Sequence, residues 1–217
     1  MDTRFWPLYG LRLTTPRLEL HLPDLRDLDA LAAVAADGVH DPDRMPFSVP
    51  WTDAEPEARG RATFQHVLST IAGWTPADWN LSLVVLHQGK TVGRMDLMAK
   101  DFATTREILT GSWLGIAHQG QGIGTEMRAA ALHLAFAGLG ARSATSGALS
   151  DNAASLGVSR KLGYREDGIE TLSVRGKAVT LQRLRIDRAD WEAREEARRS
   201  VDVTISGLEE CLVQFTG

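Results

Sequence analysis

Gly115-Ile116-Ala117-His118-Gln119-Gly120-Gln121-Gly122-Ile123-Gly124-Thr125-Glu126 stands between an apolar run over 108–114 and a helical pattern over 127–136. A strand, a glycine-dense turn and a helix start, in that order, make an anion site. Glycines let a phosphate approach the backbone. The first helical N–H groups have no intrahelical acceptor, and the helix dipole adds partial positive charge there. Spacing then discriminates among phosphate ligands. A dinucleotide fingerprint, G-x-G-x-x-G, is met by Gly120 and Gly122 but finds Thr125 in its third place. The region that should carry its acidic ribose partner reads Gly140-Ala141-Arg142-Ser143. A P-loop is met by Gly115 and Gly120, but Gln121 stands where its lysine must be. The pattern [QR]-x-x-G-x-[GA] is met in full by Gln119, Gly122 and Gly124. An ordinary strand-to-helix turn uses glycine as well, so the loop alone leaves both readings open.

A second segment adds weight. Residues 151–164 read Asp-Asn-Ala-Ala-Ser-Leu-Gly-Val-Ser-Arg-Lys-Leu-Gly-Tyr and follow a strand-like run over 143–149. With the glycine loop, they resemble the GCN5-related N-acetyltransferase (GNAT) superfamily, in its order and at its separation. The likeness is greatest to the ribosomal-protein, Rim-like branch, whose opening strand is similar to Leu11-Arg12-Leu13-Thr14-Thr15-Pro16-Arg17-Leu18. Residues 125–130 and 40–47 are similar to an actinobacterial subgroup in which some members are described as succinyl transferases. The resemblance covers about residues 10–190. It implies an α/β (α+β) fold: a central mixed, mostly antiparallel sheet, splayed at the acyl-coenzyme A site and flanked by helices.

The same resemblance implies an N-acyltransferase. It would move an acetyl, or succinyl, group from acyl-coenzyme A directly to a primary amine of a small molecule, protein or peptide. Backbone groups of Leu114, Gly115 and Ile116 would meet the pantetheine arm. Gln119, Gly120, Gln121, Gly122, Ile123, Gly124 and Thr125 would hold the pyrophosphate, with Asn152 and Ser155 as further donor contacts. For the leaving thiolate, family members often use a tyrosine seven residues after the asparagine; here that position is Ser159. The Rim-like branch can use the serine at Ser155, so Ser155 and Asn152 are the catalytic candidates. Both also read as ordinary helix-start residues. Where the family places a basic glutamate this chain has Leu109, with Glu107 on the same strand face. An ordered water, Asp41 or Asp43 could serve instead, although aspartates beside Pro42 also suit a turn. With acid and base both altered, an acyl-coenzyme A sensor or a pseudoenzyme is the alternative.

Other features bound the function. The six histidines show no metal-ligand spacing and there is one cysteine, Cys211, so no metal is expected. His118, Arg160 and Lys161 either approach phosphates or sit in solvent. Phe47 and Trp51, in a proline-rich loop over 37–53, either line an acceptor pocket or anchor that loop. The chain has 217 residues, 43% hydrophobic and 24% charged, with net charge −4. That suits a soluble globular protein and argues against nucleic acid as a partner. No apolar run is long enough to span a membrane, and a lone cysteine fits a reducing cytoplasm.

All eight prolines lie at or before Pro76. Periodicity predicts strands over 11–22, 81–87, 91–98, 106–115 and 142–149, a hairpin from 164–173 to 178–186, and helices over 24–36, 55–73, 122–138, 152–162 and 188–199. One domain over 1–217 is expected, with the tail over 200–217 as an extension. That tail alternates Val201, Val203 and Ile205 and ends on Leu212, Val213 and Phe215. It is expected to pack on its own core or on a second copy as a homodimer.

Overall fold

Pro16 divides the segment expected as one strand over 11–22. A computed structural model describes residues 4–194 and 201–217, and it shows β1 (Arg12–Thr14) and β2 (Leu18–His21) pairing antiparallel across a tight turn. Proline has no N–H for a ladder, and the turn closes instead through Thr15, whose Oγ accepts from the Leu18 N–H at 2.9 Å. Helix α1 (Leu25–Asp37) starts on Asp24, whose carboxylate accepts from the Arg26 and Asp27 N–H groups. Arg59 on α2 (Pro56–Ala72) donates to the carbonyls of Ala35 and Ala36, both at 2.6 Å, and to Thr52 O at 3.0 Å. It thereby caps the end of α1 and pins the proline-rich loop between the two helices.

Strands β3 (Asp78–His87) and β4 (Lys90–Lys100), over the expected strands 81–87 and 91–98, form an antiparallel hairpin. Gln88 and Gly89, at φ 52° and 73°, give the doubly left-handed turn that matches strand twist. A short helix α3 (Phe102–Thr105) leads into β5 (Glu107–Leu114). Then follow α4 (Ile123–His133), β6 (Ser143–Leu149), α5 (Ala153–Leu162), β7 (Arg165–Val174), β8 (Lys177–Asp187), α6 (Arg188–Ala193) and β9 (Thr204–Ser206). The helix expected over 122–138 continues past α4 as a wider π turn, Leu134–Gly138. The helix expected over 188–199 is present to Ala193; its remainder, over 195–199, lies outside the described residues.

The nine strands among the described residues join one sheet in the order β7-β8-β6-β5-β4-β3-β2-β1-β9. Every pairing is antiparallel except β5 with β6. The main core includes Leu83, Met95, Ile108 and Phe136, and a second cluster of Leu28, Leu31, Val67 and Trp113 lies between the sheet and α1 with α2. The tail packs on its own chain. β9 pairs β1 antiparallel, Cys211 and Phe215 are fully buried, and the Trp74 indole N–H donates to Gln214 O at 2.9 Å. At Gly207, φ 69°, an added Cβ would stand 2.2 Å from Gly10 O, so only glycine lets the tail cross there.

Candidate active site

β5 and β6 pair only at Glu107↔Ser143, Ile108↔Ala144 and Leu109↔Thr145. Beyond that point each strand stays bonded on its other side: β5 to β4 as far as Leu114↔Gly93, and β6 to β8 as far as Leu149↔Leu181. The two strands therefore part. Side chains close the apex of the wedge: Ser146 Oγ donates to Thr110 O at 3.3 Å, and Thr110 Oγ donates to Thr145 O at 3.0 Å. A cleft of about 790 Å³ opens from this apex, with β5 on one wall, β6 and α5 on the other and the proline-rich loop over its mouth. The Gly115 N–H is used by Val92 O on β4 at 2.9 Å. Alternation along the strand turns the Leu114 N–H the opposite way, into the gap.

At the outer end of β5 the glycine loop meets α4. Gly120 and Gly122 take positive φ, 74° and 79°, and Gly122 is the N-cap of α4 with no side-chain acceptor to offer. Asp24 and Asn152 do cap α1 and α5 with side-chain oxygens. The start of α4 thus leaves its first N–H groups to whatever anion reaches them. Gln119 does not point outward. Its Nε2 donates to Val39 O at 2.6 Å and Leu114 O at 2.9 Å, which clamps the loop to the end of β5.

Of the candidates, Leu114, Ile116, Gln119, Gly120, Gly122, Gly124, Thr125, Asn152 and Ser155 come together on the cleft. Gly115, Gln121 and Ile123 do not line it. Ile123 is fully buried in the core, and the exposed Gln121 folds back so that its Nε2 donates to Ala117 O at 3.0 Å. Asn152 Oδ1 accepts from the Ser155 N–H at 3.1 Å, and its Nδ2 donates to Pro46 O at 3.4 Å. One side chain thus caps α5 and ties it to the loop over the mouth. Ser155 is half-buried and lines the cleft.

Glu107 is taken up elsewhere. It pairs with Arg185 and accepts from Ser143 Oγ at 2.9 Å, at the closed end of β5. Leu109 is 46% exposed and lies outside the cleft, as do His118, Asp43 and Arg160, whereas Asp41 and Lys161 line it. Phe47 and Trp51 are tied into the core side of the loop and also border the cleft. They continue an aromatic run, with centroids 5.4 Å apart and Trp51 5.5 Å from Trp113 on β5.

Two arrangements escaped the sequence. Glu126, in the first turn of α4, is 7% exposed and would repel an anion; Arg17 Nε (2.7 Å) and Thr15 Oγ (2.6 Å) both donate to it. Arg17 Nη1 also donates to Gln121 O at 3.2 Å, so the β1–β2 turn holds the glycine loop. Arg128 sits one and a half turns into α4, 4% exposed, on the cleft floor. Its Nη1 donates to Ser159 Oγ at 2.9 Å and its Nη2 to Ser112 Oγ at 3.1 Å, while its Nε is buried without a partner. The only hint in the sequence is a lone arginine in an otherwise apolar helix segment.

A family model described as an acetyltransferase (GNAT) domain matches residues 17–165. Among solved structures, the chain is similar to a GCN5-related N-acetyltransferase from Brucella melitensis, at 21% identity and TM-score 0.69, covering 87% of this chain and 84% of that one. It is similar to Mycobacterium smegmatis RimJ in complex with CoA-disulfide, at 18% identity and TM-score 0.66, covering 95% of each chain. It is also similar to RimL, a ribosomal L7/L12 alpha-N-protein acetyltransferase in complex with coenzyme A. That match has 19% identity and TM-score 0.59, covering 79% of this chain and 94% of that one. At such identities the likeness to these structures is one of fold.

Proposed function

The chain belongs to the GNAT acetyltransferase family and is by that membership an acyl-coenzyme A-dependent N-acyltransferase, and on this premise we propose direct transfer of the acyl group to a primary amine within the wedge between β5 and β6. The observation that carries the reading is the parting of β5 from β6 beside the uncapped start of α4. Phosphates suit the glycine loop at one end. The extended arm suits the free edge of β5, with the Leu114 N–H as a donor toward it. The thioester then lies near the apex, where Ser112, Thr110 and Ser146 gather. The amine enters past Asp41, Phe47 and Trp51.

Direct transfer fits a single cleft in which the amine meets the thioester, so proximity does much of the work. Ser155 is the residue we assign to the sulfur end of the donor, with Asn152 fixing the helix start that presents it. No carboxylate stands at the apex among the described residues, so amine deprotonation falls to water entering at the mouth. An acetyl donor is the first choice and a succinyl donor the second. For the acceptor, a polypeptide α-amine is tried first, because RimL is named for that activity, and small-molecule amines next. The reading also takes the protein as cytoplasmic and as a homodimer. With β1 covered by β9, the open edge β7, where Ile169 is 68% exposed, is the surface we assign to a second copy.

Thiol release from acetyl- and succinyl-coenzyme A, across a panel of peptide and small amines, tests the function. Amine-dependent release supports it. Tight coenzyme A binding with no release for any amine would establish the sensor alternative.

A further inference from the structure

Arg128 is a buried cation with no carboxylate to answer it. Among the described residues it makes no ion pair, and its two bonded nitrogens rest on neutral serine hydroxyls. A guanidinium held this way is costly unless an anion joins it. Its position narrows which anion. Counting ~1.5 Å of rise per residue, it lies ~9 Å along α4 from Gly122. Its guanidinium rests on Ser159 and Ser112 rather than on the glycine loop. It binds Ser112, two residues deeper on β5 than Leu114, where the wedge narrows. A donor with its phosphates at the loop and its arm along β5 brings its sulfur end to this floor.

Resting on the donor-site reading above, we propose that Arg128 is the counter-charge for the coenzyme A sulfur, holding it as the thiolate that acyl transfer releases. In that step the amine lone pair forms the C–N bond and the C–S bond breaks with its electron pair on sulfur. The ammonium proton passes to water. The thiolate stays beside Arg128 and takes a proton from water on release. Ser159 and Ser112 orient the guanidinium from two sides. Burial pushes the Arg128 guanidinium down from its ordinary value, which is the cost an incoming anion offsets. The other titratable groups near it are Tyr164, the residue before β7, Lys161 on α5, and Glu126, two residues back on α4, which faces Arg17.

Calorimetry with coenzyme A and with desulfo-coenzyme A, its sulfhydryl replaced by hydrogen, tests this on the intact protein. A bound thiolate means a thiol pKa lower in the complex than free, so affinity for coenzyme A rises with pH until the free thiol itself ionises. Measured from below the bound thiol's pKa to above the free one, the affinity ratio of coenzyme A to desulfo-coenzyme A should rise in total about tenfold for each unit by which the site lowers that pKa. Protein groups that titrate cancel in the ratio. In Arg128→Met the ratio should stay flat and kcat fall about a hundredfold with KM for the donor little changed; Arg128→Lys should restore part of the slope. A flat ratio in the unaltered protein overturns the proposal, even if Arg128→Met fails to fold. Loss in Arg128→Met of succinyl but not acetyl transfer also overturns it, moving the charge to an acyl carboxylate. Failure of both ligands to bind overturns the donor-site reading itself.

Discussion

Two glycines of the loop separate folding from binding at the scale of single residues. At Gly122 the backbone is left-handed, so any side chain is strained there whatever the ligand. At Gly124 an added Cβ meets only ordinary contacts, 3.8 Å from Leu114 Cδ1 and 3.8 Å from Val158 Cγ2. Gly124→Ala should therefore keep its melting temperature yet bind coenzyme A about tenfold more weakly, and Gly124→Glu should lose about a hundredfold or more, through bulk and charge at the helix start. Undiminished affinity in Gly124→Glu, by calorimetry, would remove the loop from the donor site. Ser155 offers a second contrast. Ser155→Ala leaves its N–H on Asn152, so helix α5 stays capped. If the hydroxyl serves the sulfur, turnover should drop about tenfold or more with coenzyme A affinity nearly intact. Equal losses in both would mark it as a binding residue.

Among elements, the tie between the β1–β2 turn and α4 lends itself to a charge test. Arg17 is the partner that keeps buried Glu126 from opposing a phosphate at the same helix start. Arg17→Met should cost about 1–2 kcal/mol of stability. That is below the figure for a fully buried pair because the arginine side chain is 44% exposed. It should also weaken coenzyme A binding, and adding Glu126→Gln should recover the binding; no recovery would mean the carboxylate does not face the ligand. The glycine loop and both of its flanking elements were legible from residue spacing, because backbone conformation there depends on local chemistry. The split of residues 11–22 was legible in principle too, through Pro16, but the alternation of Leu18, Leu20 and Leu22 with polar residues masked it. Ion pairs such as Arg17 with Glu126 join residues far apart in the chain, and no periodicity reports them. Arg128 was hidden for another reason. α4 is buried on nearly every face, from Ile123 to Leu132, so no polar stripe sets its arginine apart.

Taken whole, the molecule is closed by its own tail. Phe215 is fully buried in an aromatic cluster with Trp74 and Trp79, its ring centroid 5.4 Å and 5.1 Å from theirs. Phe215→Ala should cost about 3–5 kcal/mol in a denaturant titration. A loss below about 1 kcal/mol would mean the tail is peripheral. Cys211 gives an independent readout. Burial, with Glu210 nearby, pushes its thiol up to about 11. Alkylation near pH 8 should then proceed only as fast as the tail opens, and rapid labelling of the native protein would contradict the packing. The pairing of β1 with β9 has one more consequence, for the order of events during synthesis. β1 is made long before its partner β9, so a nascent chain on the ribosome carries an unpaired sheet edge until residues 204–206 emerge. Premature termination between β8 and β9 would release a chain with every strand of the wedge in place but that edge bare, and such fragments should be found in aggregates rather than in solution.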